Sequence, residues 1–160
     1  MRKTSMTLAV VLVASAQALA TEASDAIAQL DAAEVRWQRS APSAYEFRFE
    51  YGAMLRYVDC EEGFRAIVAN QVTVEPPGCN QLRGTFATIP VLFTYIRQEL
   101  LKAPDSVKVM FNPKYGYPES FDIDYRKNIS DDEFHFAVRD FRCLDKNAPP
   151  NASLERTRDR

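Results

Sequence analysis

Histidine is almost missing from this chain: among 160 residues there is one, His135. Cysteine is limited to 3 residues and glycine to 5. Each scarcity excludes a class of chemistry. A single imidazole and cysteines without Cys-x-x-Cys spacing give no zinc site. Loops that cradle phosphates or dinucleotides need glycines at fixed offsets, and no such pattern occurs. No serine stands in a Gly-x-Ser-x-Gly context that would expose a nucleophile. Positive charge is not in excess either, with 20 Lys and Arg against 22 Asp and Glu. A nucleic-acid binder displays a basic face to neutralise phosphates, and neither the balance nor any Lys/Arg cluster provides one. Finally, no apolar run reaches the ~20 residues that span a bilayer, so no membrane span is expected.

What is present begins with the leader. MRKTSMTLAVVLVASAQALA has Arg2 and Lys3, then an apolar stretch from Leu8 to Ala14, then Ala18-Leu19-Ala20 as a small-x-small cleavage signal. That is the layout of a secretory signal peptide. Residues 1–20 are therefore expected to be removed, 21–143 to form a single domain, and 144–160 to trail as a flexible C-terminal tail rich in Asn and Pro. Cleavage takes two basic residues and no acid, which leaves the mature chain near −4. The expected location is periplasmic or secreted.

Export gives the cysteines meaning, because an oxidising compartment preserves disulfides. Cys60 and Cys79 flank a hairpin-like segment and are the disulfide candidates; closing a loop of about 20 residues contributes roughly 3 kcal/mol. Cys143 is left over, as a buried or unreactive thiol or as a partner for another cysteine.

The elements follow from periodicity. From 24 to 40 the residues Ile27, Leu30, Ala33 and Trp37 recur at helical spacing, with Ser24 or Asp25 as cap and Ala41-Pro42 as terminator. Residues 45–51, YEFRFEY, alternate aromatic and charged side chains, which is a strand with one buried face. Runs 64–69 and 72–75 flank Asn70-Gln71 as a hairpin, with Asn supplying the positive φ of a two-residue turn. TIPVLFTYIRQELL reads as a second helix, capped by Thr88 with Pro90 in its first turn. Strands 106–111, 117–125 and 133–141 follow, with PKYG (113–116) as the turn between the first two. The expected fold is α+β: a single twisted antiparallel sheet of about six strands with two helices over one face, in the order α-β-β-β-α-β-β-β.

Candidate chemistry is thin. His135 alternates with Phe134 and Phe136, so it belongs on the outer face as a surface histidine. Asp122 and Asp124 point out of one strand face, close in sequence to Asp131, Asp132 and Glu133. An EF-hand register counted from Asp122 fails, because Arg126 and Lys127 occupy the fifth and sixth positions, where a ligand and a glycine belong. These five acids stay as weak metal candidates. With the turn read as architecture, Lys114, Tyr115, Asp122 and Asp124 are the possible recognition surface.

Taken in order, Trp37, Tyr45, Cys60, Cys79, FATIPVLF (86–93), FNPKYGYP (111–118), Asp124 and Asp131-Asp132-Glu133 resemble an exported bacterial family catalogued as domain of unknown function 6174. The resemblance spans roughly residues 30–142 and rests most on TIPxLF together with NPxYGYP. It implies a periplasmic or secreted bacterial protein and brings no catalytic residue and no cofactor with it. The reading that fits best is a non-enzymatic envelope or secreted module whose partner is another protein or a cell-envelope component. The alternatives are a metal-dependent or hydrolytic enzyme working from Asp122, Asp124 and Asp132 with His135, and a small-ligand carrier with tyrosines lining a groove.

Overall fold

The computed structural model describes residues 8–53, 63–75, 86–130 and 132–144. Helix α1 spans Leu8–Ser40, strand β1 Tyr45–Ala53, β2 Phe64–Val68 and β3 Val72–Glu75; helix α2 covers Ile89–Leu100, and β4 Ser106–Phe111, β5 Pro118–Asp124 and β6 Glu133–Cys143 complete the chain. The order is the α-β-β-β-α-β-β-β expected from the sequence. All six strands form one open antiparallel sheet in the order β3-β2-β1-β6-β5-β4. Two meanders, β1-β2-β3 and β4-β5-β6, are thus joined along the β1/β6 seam.

Helix α1 begins earlier than its amphipathic pattern. Residues 8–23 contain no Gly or Pro and are rich in Ala, Leu and Val, so nothing breaks the helix ahead of Ser24. Ser24 and Asp25 therefore lie inside the helix and cap nothing. The face expected to be apolar is the buried one: Ala26, Leu30, Ala33 and Trp37 recur at four, three and four. Ala41 N donates to Trp37 O at 2.7 Å and closes the last turn before Pro42.

In α2, Ile89, Leu92, Phe93, Ile96 and Leu100 are all buried. Thr88 occupies the N-cap position with extended backbone but makes no side-chain cap. The orphan N–H of Ile89 donates instead to the Tyr45 hydroxyl at 3.3 Å, so β1 supplies the cap from across the core. Between the helices, the Arg97 guanidinium reaches Asp31 at 2.7 Å and Glu34 at 2.8 Å.

Tyr45, Phe47 and Phe49 turn inward from β1 to meet Phe121, Phe134 and Phe136. The rings pack as offset stacks and edges; Phe49 lies 5.1 Å from Phe64 and 5.3 Å from Phe136, centroid to centroid. Such pairs contribute about 0.5–1.5 kcal/mol each beyond the area they bury.

Two local expectations are corrected. Val68 pairs with Val72, so Ala69, Asn70 and Gln71 form a three-residue loop in place of a two-residue turn. Among the described non-glycine residues, positive φ occurs at Ala103 and Asp140 and not at Asn70. Strand β6 also runs past residue 141, because Tyr45 pairs with Cys143 and holds the last residues in the sheet. The turn 113–116 forms as expected. Asn112 Oδ1 accepts from the N–H groups of Lys114 and Tyr115, and Gly116, at φ +87°, donates to Asn112 O. Cys60, Cys79 and residues 145–160 lie outside the described residues.

Candidate functional site

With both helices on one side, the other face of the sheet is built from the second set of alternating residues. Two depressions on this face are lined by described residues.

The first, about 320 Å³, lies over β4, β5 and the start of β6, and Lys108, Asp122, Asp124, Glu133 and His135 line it. Strand register explains the grouping: Lys108 pairs with Asp122, Asp122 with His135, and His135 with Gly52. Four strands thereby place these residues in one row. The His135 ring lies over the bare Cα of Gly52, where a Cβ would come within 1.8 Å of Cε1. His135 is exposed, as its parity required. Asp124 Oδ1 and Asp132 Oδ1 are buried without a hydrogen-bond partner among the described residues. Among the described residues, no three His, Cys, Asp or Glu side chains converge as metal ligands would. Asp131 is outside the described residues.

The four residues of the expected recognition surface separate. Asp122 and Asp124 share the first depression, while Lys114 and Tyr115 sit at the opposite end of β5, on the turn before it. Lys114 is exposed, but Tyr115, expected at the exposed tip, is buried to 9% exposure. The turn is held inward by the docking of Gly116 on α1: Ser40 Oγ, which donates to Arg36 O at 2.7 Å, also lies 3.3 Å from Tyr115 O, and the Tyr115 ring packs 5.5 Å from Phe141. Cys143 Sγ donates to the Tyr115 hydroxyl at 3.2 Å, with the Lys114 ammonium 4.7 Å from the ring centroid. Hydrogen bonding to Tyr115 raises the pKa of Lys114. Tyr117 and Tyr45 belong to the core as well: burial pushes Tyr117 up to about 12 and raises Tyr45, the latter opposed by the N–H of Ile89. Tyr51, Tyr95 and Tyr125 are partly buried, and Tyr57 lies outside the described residues.

The second depression, about 300 Å³, was not visible in the sequence. Glu46, Phe47, Arg48, Arg65, Asp140 and Arg142 line it. Between the pairs Glu46/Arg142 and Arg48/Arg139, two residues of β6 oppose the single Phe47, so the strand bulges at Asp140. Asp140 takes the left-handed conformation, φ 52°, that aspartate tolerates better than most residues. The extra residue keeps Phe141 on the core side, where it stacks 4.3 Å from Tyr117, and returns Arg142 to the outer face. Glu46, expected to be solvated, is only 8% exposed because arginines cover it: Arg65 forms a short hydrogen-bonded ion pair with it, and Arg142 approaches to 3.8 Å. That hydrogen bond raises the Arg65 pKa, with a smaller contribution from Glu75. The alternation of Glu46, Arg48 and Glu50 did signal a charged outer face. What it lacked was the bulge, which brings residues of β6 into a register that simple alternation does not reach.

The unit that carries both depressions is defined by comparison as well as by its sheet. The chain belongs to a family of unknown function (DUF6174), whose model matches residues 29–143. That span starts within α1 and ends on the last residue of β6, so it includes all six strands and α2. No curated protein and no solved structure matches the chain.

Proposed function

We propose that the protein is an exported bacterial binding module that recognises another protein or a cell-envelope component through the outer face of its sheet. The observation that carries this reading is the asymmetry of the sheet: the helices cover one side, and the other presents charged rows and two shallow depressions to solvent. An aspartate in the left-handed conformation and an ion-paired, nearly buried Glu46 are costly features for a face with only a solvation role.

Export rests on the leader. It is compatible with the family match, which begins at residue 29, and with the core side chains described on α1, Ala26, Leu30, Ala33 and Trp37. Cleavage after Ala20 removes none of these. The mature protein is expected to begin at Thr21, and a secreted or periplasmic product that retains Met1 would refute the leader reading.

The recognition reading is tested with photo-crosslinking residues placed at Arg139 on the outer face and at Gln38, exposed on α1. Discrete adducts from position 139 and none from position 38 are expected in the producing cell. Adducts from neither position, or equally from both, would remove the outer face as the recognition surface.

A further inference from the structure

Arg139, Arg48 and Arg65 face each other directly across β6, β1 and β2. Like charges in opposed positions on a sheet are destabilising unless anions intervene. Here the anions are shared. Glu50 serves both Arg48, at 3.3 Å, and Arg139, at 3.6 Å; Arg65 uses Glu46 and Glu75; and among the described residues Arg142 has only its 3.8 Å approach to Glu46. Around the second depression three guanidiniums, those of Arg48, Arg65 and Arg142, meet two carboxylates, those of Glu46 and Asp140. Glu50 and Glu75, beyond the lining, pair with Arg48 and Arg65, so among the described residues Arg142 is the one of these three guanidiniums with no ion pair closer than 3.8 Å. Arg48 and Arg142 also remain 48% and 68% exposed along their side chains.

The geometry points to a ligand: we infer that this depression binds the carboxylate of a small molecule about the size of a sugar acid or an amino acid. The inference rests on the reading of the outer face as a recognition surface and names the chemistry of one site on it. Its volume, about 300 Å³, lies at the lower end for small-molecule pockets. The planar arginine fork matches a carboxylate in two parallel hydrogen bonds. Glu46 already demonstrates the fit, since its own carboxylate lies between Arg65 and Arg142 in the floor. A single carboxylate supplies Arg142 with the close partner that Glu46, held by Arg65, does not provide. A phosphate dianion, with twice the charge, would face stronger repulsion from Glu46 and Asp140.

The test is an amide NMR titration of the full chain with glucuronate and, separately, with N-acetylglutamate; glucose and inorganic phosphate serve as comparisons. Saturable shifts in 46–48 and 139–142 are expected with at least one carboxylate, with a dissociation constant on the order of 1 mM, as for a few charge-assisted hydrogen bonds. Which acid binds more tightly separates the sugar source from the amino-acid source. Arg142→Ala and Arg48→Ala should each weaken binding about tenfold, a difference of about 1.4 kcal/mol. Arg139→Ala, outside the depression, should leave it within a factor of about two. No saturable shift with either acid at about 10 mM would overturn the inference, as would shifts that survive both arginine substitutions or that glucose or phosphate reproduces equally. Crosslinks from the outer face without carboxylate binding would sink this inference and leave the recognition reading standing. Carboxylate binding without crosslinks would do the reverse.

Discussion

Gly116 rests directly on the backbone of α1: a Cβ at this position would lie 2.3 Å from the carbonyl oxygen of Ala33 and 3.0 Å from Trp37 N. Its φ of +87° is unfavourable for any side-chain-bearing residue as well. The turn and the helix therefore dock through an absent side chain. Gly116→Ala is expected to cost at least about 2 kcal/mol, from strain and displacement together. Urea denaturation of the two proteins checks this, and an unchanged midpoint would mean that the turn is not held against α1.

The Tyr45 hydroxyl takes the place of a helix cap for Ile89. Tyr45→Phe keeps the ring that packs 5.3 Å from Trp37 and removes only the acceptor. The expected loss is about 1–2 kcal/mol, the cost of one unsatisfied buried N–H. Amide exchange at Ile89 should accelerate by more than exchange at Leu92, whose N–H keeps its bond to Thr88 O.

At Asp140 the left-handed conformation separates side-chain chemistry from backbone strain. Asp140→Gly should leave stability within about 0.5 kcal/mol, whereas Asp140→Val should cost about 1–2 kcal/mol, because a β-branched side chain clashes in that region. Equal stability of the two variants would show that the bulge relaxes.

Gly52 and His135 offer a complementary test. Gly52→Ala places a methyl where the exposed imidazole now lies, and the ring is free to rotate away. A cost below about 1 kcal/mol is expected, together with a displaced His135 resonance. If the substitution instead unfolds the protein, the ring is fixed in place over the glycine.

Stability should fall on the alkaline side. Burial raises the pKa of Tyr45, Tyr95, Tyr117 and Tyr125 above the ordinary value near 10, with Glu99 adding to the shift at Tyr95 and Tyr125. An unfolded chain releases these phenolic protons as the pH passes about 10, while the folded one still holds them. The unfolded state then binds fewer protons, and unfolding becomes easier. The stabilising contribution is complete below pH 10 and, for Tyr117, is lost between 10 and about 12. Thermal melts should show a plateau near neutrality and a decline across that window. Tyr117→Phe should shallow the decline.

Much of this architecture was legible because each element states its burial in its own period. The alternation in residues 45–51 and the three-and-four spacing of Ala33 and Trp37 are decided within a few residues, so neighbours in space add nothing needed to read them. The candidate site was legible only where register is simple: Asp122, Asp124 and His135 alternate cleanly and do come together. The second depression escaped because it depends on a bulge, an event between strands that neither β1 nor β6 announces alone. The burial of Tyr115 escaped for the same kind of reason, since Gly116 signals a turn locally while its packing on Ala33 is a contact between distant parts of the chain. Thr88 shows the limit of local rules, as its expected role as a side-chain cap went to Tyr45 across the core.

The seam between β1 and β6 also sets a timetable. Leu144 N donates to Ala44 O at 2.8 Å, across a hundred positions of sequence, and among the described strands the two halves of the sheet pair along this seam alone. The meanders β1-β2-β3 and β4-β5-β6 are local and can form early, but joining them requires closing nearly the whole domain, the slowest kind of contact to make. A chain that emerges from its N-terminus therefore holds the edge of β1 open until β6 arrives. During that interval the aromatic strip of Tyr45, Phe47 and Phe49 is the surface most in need of shielding from other chains.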